Sequence, residues 1–347
     1  MGIKNLADKK LGKVVSDIGR GSTGIASELG RKSAQVAGAV GKKSLDAANF
    51  ASDKVTDLAT KAKDGTIRTK DTIVEKLDVN IDGKIDIEDI IILGMRTPGV
   101  KISREEFLRK ELSKNYSEEV IADVISYNPA HAGISVEEID KLADEVIKLE
   151  RICVSGISTV LGAPGGAAMA VTIPADITQY YGYMLRATQK LLYLYGFPEI
   201  DAGDNGQTFD SETMNILILC MGVMYGAAGA NNAIKGIAKA LASGVEKQLM
   251  KKALTKGTIY PVVKSVSKWF SVKMTKEVFA GFFKKAIPVV GGVIGGGLTY
   301  ATFKPCCDKL KKSLRETKLA NPNIQDEDGI VIDNIDEEVD NSTELIM

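Results

Sequence analysis

The chain has one histidine and four cysteines in 347 residues, and this scarcity removes several chemistries at the outset. His131 stands in the turn NPAHAG with no second histidine or cysteine beside it, so a structural or surface role fits it better than metal ligation. Cys153, Cys220, Cys306 and Cys307 form neither a CxxC pair nor a Cys/His zinc spacing, and the adjacent Cys306 and Cys307 cannot easily bridge each other. Reduced thiols in a cytosolic protein are the expectation. The first long uncharged run starts far into the chain, so no signal peptide is expected. MGIKNL has Gly2 but Leu6 where a myristoylation motif needs Ser or Thr.

Other patterns are missing too. No stretch alternates apolar and polar residues as a half-buried strand does. GAPGG follows no strand and lacks the G-x-G-x-x-G order, and GVIGGG has no Lys-Ser or Lys-Thr after it, so neither is a nucleotide loop. No nucleophile, base and orienter set can be assembled, which leaves an enzymatic role unargued and a non-enzymatic one favoured.

Net charge is also absent, with 45 basic and 45 acidic side chains, but the average conceals an asymmetry. Residues 1–63 carry twelve basic and six acidic side chains, a net of about +6. From Asn321 to Met347 there are nine acidic residues and no basic one, about −9. The two ends suit each other, or different partners. The tail is acidic and poor in aromatics, the composition of a disordered segment.

The basic end holds a repeat. GRGS at Gly19, GRKS at Gly30 and GKKS at Gly41 recur every eleven residues. Val14, Ile18, Ile25, Leu29, Val36, Val40, Ala47, Ala51, Leu58 and Ala62 alternate spacings of four and seven. Eleven residues over three turns is about 3.67 per turn, which keeps this stripe on one face of a nearly straight helix. The stripe is thin, its flanks are Lys and Arg, and its glycines each weaken a helix by about 1 kcal/mol relative to alanine. Low hydrophobicity with a basic polar face suits adsorption to an anionic membrane surface. A protein partner or plain disorder is the competing reading. The pattern resembles the eleven-residue repeats of synuclein-like and late-embryogenesis-abundant proteins.

Acids also cluster in DVNIDGKIDIED, Asp78 to Asp89. An EF-hand loop takes oxygens at positions 1, 3, 5, 7, 9 and 12, with glycine at 6. Asp78, Asn80 and Asp82 fall at 1, 3 and 5, and Gly83 at 6. Lys84 at 7 offers its backbone carbonyl, Asp86 falls at 9 and Asp89 at 12. Aspartate is a methylene shorter than the usual glutamate, so weaker calcium binding, or more tolerance of magnesium, is expected. An Asp-rich helix cap is the bland alternative. The stretch resembles the calcium loop of dockerin modules, which carry two such loops where one is found here.

Beyond the loop the periodicity is helical. SREE from Ser103 and SVEE from Ser135 are expected capping boxes. Three uncharged runs follow: Ile152 to Ala175, Thr213 to Ile234, and Ala286 to Phe303. Pro164 and Pro174 interrupt the first, Asn231 and Asn232 sit in the second, and the third is barely long enough to span a bilayer. Buried glycine-rich hairpins are expected, with membrane insertion as the rival. A helix is expected from about Ala175 to Tyr195, with Pro174 at its start and Asp176 in its first turn. On it Gln179, Tyr183, Arg186, Lys190 and Tyr193 form one polar and aromatic stripe. Tyr183, Arg186 and Lys190 are candidates for a cleft that binds an anion or lipid headgroup. The alternative pairs Arg186 with a distant acid.

GAPGGAAMAVTIPADITQYYGYMLRATQKLLYLYGFPEI and AIPVVGGVIGGGLTYATF resemble the EcsC family of bacterial proteins, over roughly residues 100–318. The resemblance implies a bacterial, membrane-associated protein and brings no catalytic residue. The sequence thus predicts an all-α chain: a basic arm over 1–66, an EF-hand-like unit over 67–98, an EcsC-like helical domain over 99–318 and an acidic tail over 319–347. The expected function is that of a calcium-binding protein, cytoplasmic and peripheral to the membrane. A carrier or enzyme for a lipid or anionic ligand is the alternative. Nucleic acid is not an expected partner.

Overall fold

The structure, a computed structural model, describes residues 78–79, 86–162, 169–200, 210–245, 247–273 and 291–324. The basic arm, the loop residues Asn80, Asp82 and Lys84, and the acidic tail from residue 325 lie outside the described residues. What is described is all α: ten helices and no strand. In chain order they are α1 (Ile87–Arg96), α2 (Arg104–Leu112), α3 (Glu118–Ser126), α4 (Val136–Gly162) and α5 (Met169–Leu194). Then come α6 (Ser211–Tyr225), α7 (Ala230–Ala242), α8 (Lys247–Thr255), α9 (Tyr260–Lys273) and α10 (Gly291–Arg315).

The centre of the fold is α6. Every residue from Thr213 to Met224 is buried, so no face is left for water. A helix apolar all round has to be wrapped by others. Here α1, α5, α7, α8, α9 and α10 do the wrapping. Asp210 caps its start by accepting from the Thr213 N–H at 2.6 Å. Gly226, at φ 80°, ends it in the left-handed region, and the Ala227 N–H returns to the Gly222 carbonyl at 2.8 Å. The second uncharged run is therefore a buried hairpin, α6 and α7, turned at Gly226–Gly229. Among the described residues no helix is long and apolar enough to cross a membrane.

Around this centre, α4 lies antiparallel to both α10 and α5. Arg315, ending α10, meets Glu137 and Asp140 near the start of α4 at 3.2 and 2.7 Å. Lys311 meets Asp144 at 2.8 Å, and Arg151 donates to the Tyr300 carbonyl at 2.6 Å. On the other side, the Tyr195 hydroxyl donates to Asp140 at 2.5 Å, while Glu150 faces Arg186 and Lys190. The capping box at Ser135 is complete: Ser135 N–H donates to Glu138 and Glu138 N–H to the Ser135 hydroxyl, at 3.2 and 3.4 Å. At Ser103 one half is present, Glu106 N–H to the serine hydroxyl at 3.3 Å.

α5 begins earlier than expected. It starts at Met169, so Pro174 and Asp176 lie inside it and not at its first turn. Proline removes one i to i−4 bond, and the rest of this long helix carries on around it. Its end is as expected. Gly196, at φ 92°, sends the chain back, with Phe197 N–H bonded to the Leu192 carbonyl at 2.9 Å.

α1 shares the same core through Ile87, Ile90, Ile91 and Met95. It crosses α5 where both helices are small: a Cβ on Gly94 would sit 2.6 Å from Leu185 Cδ1, and one on Gly182 would sit 3.1 Å from Val100 Cγ2.

Candidate functional site

Two clusters fall on the residues singled out by the sequence. The first is the mouth of the Asp78–Asp89 loop. Asp86 is the N-cap of α1, its Oδ1 accepting from Glu88 N–H at 2.9 Å and Asp89 N–H at 3.2 Å. Asp89 answers from the third helical position, with Oδ2 accepting from Asp86 N–H at 3.0 Å. Its other oxygen, Oδ1, reaches across the loop and accepts from Val79 N–H at 2.9 Å. One fully buried carboxylate therefore clasps the second and ninth positions of a twelve-residue loop. This brings the loop's start and end together, as a cation loop must be closed.

The described ligand candidates fit a hard cation. Asp78, Asp86 and Asp89 are oxygen donors, the class calcium and magnesium take. A carboxylate has about four acceptor sites, so accepting two N–H bonds does not by itself exclude an ion from Asp89. Asn80, Asp82 and Lys84, at three of the six ligand positions, lie outside the described residues. Among the described residues, no three His, Cys, Asp or Glu side chains are grouped to hold a metal.

The second cluster joins α4 to α5. Arg186 grips Glu150 with a fork, Nε to Oε2 at 3.1 Å and Nη2 to Oε1 at 3.3 Å. Lys190 donates to the same Oε1 at 2.6 Å. Arg186 also donates from Nη1 to the Gly99 carbonyl, beyond the end of α1, and lies 5.7 Å from the Tyr183 ring centre. Lys190 lies 5.6 Å from the Phe107 ring centre. So Tyr183, Arg186 and Lys190 are brought together, around an acid the sequence reading had not singled out.

Burial alone would push the Glu150 carboxyl up, yet the Lys190 and Arg186 charges outweigh it and hold the group at about 2. Cys153, one turn along α4, is driven the other way: burial and the Glu150 charge push its thiol up to about 11. Burial also pushes the Tyr183 phenol up. Neither is a ready nucleophile at neutral pH.

A signal for Glu150 exists in the sequence. Ala143, Val146, Ile147 and Val154 are the buried stripe of α4, and Glu150 occupies the position between them where an apolar residue is due. The stripe on α5 does more than pair charges. Gln189, next to Lys190, donates to the Val100 carbonyl at 3.0 Å and accepts from Ile102 N–H at 3.1 Å. The Tyr193 hydroxyl donates to the Ile102 carbonyl at 3.1 Å. These bonds fasten the segment leaving α1 to α5. At the other end of the stripe, the buried amide N and O of Gln179 have no hydrogen-bond partner among the described residues.

Arg104 was also missed. It is buried, and its guanidinium donates to the carbonyls of Val124, Ile125, Tyr127 and Phe197 at 2.7–3.2 Å. It thereby satisfies the carboxyl end of α3, where a cation is favoured. His131 is half exposed, stacked 4.1 Å from Tyr127, with Nδ1 3.3 Å from Asp123.

Comparison with family models, with curated proteins and with solved structures found no match.

Proposed function

We propose that the chain is a cation-responsive peripheral membrane protein, EcsC-like over its helical part, with a regulatory or structural role. The Asp89 clasp carries this reading. The residue that would complete a calcium or magnesium shell also ties the loop shut and opens α1. α1 in turn is seated on α5 at Gly94 and Gly182, and the chain leaving it is bonded to Arg186, Gln189 and Tyr193. An ion bound at Asp78, Asn80, Asp82, the Lys84 carbonyl, Asp86 and Asp89 would draw these oxygens inward and bear directly on a helix of the core. The basic arm would supply the affinity for anionic lipid, each Lys or Arg contributing about 1 kcal/mol near the surface.

The test is co-sedimentation of the full chain with phosphatidylserine-containing vesicles, in calcium and in chelator. An arm variant carries Arg31, Lys32, Lys42 and Lys43 as glutamine. The reading expects calcium to change vesicle binding and the arm variant to bind more weakly. Binding unaffected by either would remove it.

A second reading has its own support. Arg186 and Lys190 put two cations against one carboxylate, and Arg186 keeps 19% of its side chain exposed. The excess charge suits a lipid headgroup or another anion at Tyr183, Arg186 and Lys190. A shift in melting temperature with soluble headgroup phosphates, lost in Lys190→Met, would favour it.

A further inference from the structure

The surface of α8 and α9 has no place in that reading. Residues 247–273 contain seven lysines and not one acidic residue. Elsewhere in the fold, cations are interleaved with acids: Lys304 with Asp308, Lys311 with Asp144, Arg315 with Asp140, Arg109 with Glu105. Here the two helices carry no acidic residue of their own.

The two helices fold as one face. Each packs on α6, and they touch each other across the short turn at 256–259. On α9 the buried positions are Val263, Val266 and Phe270. The exposed ones are Pro261, Lys264, Ser265, Lys268 and Val272, a single stripe at helical spacing. On α8, Met250, Ala253 and Leu254 are buried while Lys251 and Lys252 are exposed, and Lys256 follows them in the turn. Because both buried faces look toward α6, the exposed Lys251, Lys252, Lys264 and Lys268 point away from it.

The stripe is not purely basic. Val272 is 55% exposed, one of two large hydrophobic side chains so open among the described residues. It lies one turn beyond Lys268 and three residues after Trp269. Trp269 is half-buried, edge-on to Phe270 at 5.1 Å, and Tyr260 sits 4.8 Å under the Lys264 ammonium.

We propose that α8 and α9 form a lipid-contact surface of the helical domain, separate from the arm, that lies on anionic membrane. Lysines with an exposed aliphatic side chain and flanking aromatic rings meet both parts of such a surface. Headgroups take the ammonium groups, and the acyl boundary takes Val272 and the ring edges. Nucleic acid would use the charge but has no matching use for Val272. Long lysine stems also lie along the interface while their heads stay in water. With the arm at one site and this face at another, both attachments would act together and gain from effective concentration.

Trp269 is the only tryptophan in the chain, so its fluorescence reports on this face alone. The full chain is mixed with vesicles of phosphatidylcholine, with or without phosphatidylserine, carrying brominated acyl chains. Trp269 quenching by the anionic vesicles, fading as salt is raised, is the expected result. Replacing Lys251, Lys256, Lys264 and Lys268 by glutamine should weaken binding at least tenfold, with the helical circular dichroism unchanged. Val272→Ser should reduce quenching further than sedimentation. The arm variant should still show quenching, at higher lipid concentration. If vesicles bind through the arm while Trp269 stays unquenched and the four-lysine variant binds like wild type, the inference fails and the arm's role survives. If no form binds, both fail. An RNA homopolymer that binds through the four lysines, with vesicles inert, would reassign the face and overturn the proposal.

Discussion

Arg186 on α5 and Glu150 on α4 are joined by two bonds, at 3.1 and 3.3 Å, inside a contact that excludes water from the carboxylate almost completely. Lys190 adds a third bond to the same group. A buried carboxylate so held is stable only while its partners remain. Glu150→Ala leaves two cations with no counter-charge at the α4–α5 contact and should cost roughly 3–5 kcal/mol, and Arg186→Ala should cost a similar amount. Urea denaturation measures both. The triple change Glu150→Leu, Arg186→Met and Lys190→Met, which removes every charge of the cluster, should recover most of the loss. A recovery of nothing would mean that the fork also positions Gly99, to which Arg186 donates.

The same pair sets a pH dependence. The Glu150 carboxyl is held at about 2 in the folded chain against an ordinary 4.5. The folded value is depressed, so the stabilisation is fully present above about 4.5 and is lost as pH falls from there toward 2. The loss attributable to this group is about 3 kcal/mol, an order-of-magnitude figure at 1.36 kcal/mol per unit. Glu150→Gln should be less stable at pH 7 and should show a shallower decline between pH 4.5 and 3. Parallel declines in variant and wild type would assign acid sensitivity to other groups.

Packing around α6 supplies a sharper steric test. A Cβ on Gly222 would lie 2.8 Å from Val266 on α9 and 2.9 Å from the Ala230 Cβ on α7. The second neighbour is a Cβ close to its backbone and gives way only if α7 moves. Alanine in a helix gains about 1 kcal/mol over glycine, but overpacking costs about 1–3 kcal/mol. Gly222→Ala should therefore destabilise, with a lowered melting temperature. A rise would mean that α7 is free to move out.

The all-α class was legible because helical spacing and caps are local signals, and Ser135 and Gly196 behave as their sequence context dictates. The start of α5 was not legible. Proline's preference for a helix's first turn pointed to Pro174, while the apolar residues ahead of it extended the helix to Met169. The stripe of Tyr183, Arg186 and Lys190 was visible in the sequence, and Glu150 stands out as an acid in the apolar stripe of α4, but the pairing of the two was not legible. Pairing between α4 and α5 depends on how two long helices cross, and nothing near Lys190 in sequence points to Glu150, 40 residues away. The tie from Asp89 to Val79 was hidden for a related reason: spacing marks which oxygens line a loop and leaves open which N–H groups they accept in its absence of other partners.

That tie allows the cation reading to be tested apart from the structural one. Asp89 does two jobs in the proposal, since it clasps Val79 and Asp86 and also stands at the twelfth ligand position. Asp89→Asn therefore carries a capping cost of about 0.5–2 kcal/mol whether or not an ion ever binds. Asp78, at the first position, allows a cleaner comparison. Each protein is melted twice, in calcium and in chelator, and only the difference is read, so any fixed structural cost cancels. An ion at a hundred times its dissociation constant stabilises the folded chain by about 2.7 kcal/mol. Wild type should gain on that scale in millimolar calcium, and less in magnesium, whose smaller shell wants stricter geometry. Asp78→Ala should lose most of the gain, and Asp89→Asn should lose it as well as start from a lower melting point in chelator. If wild type gains nothing in either ion, while Asp89→Asn still melts lower, then Asp86 and Asp89 serve only to cap α1 and close the turn before it.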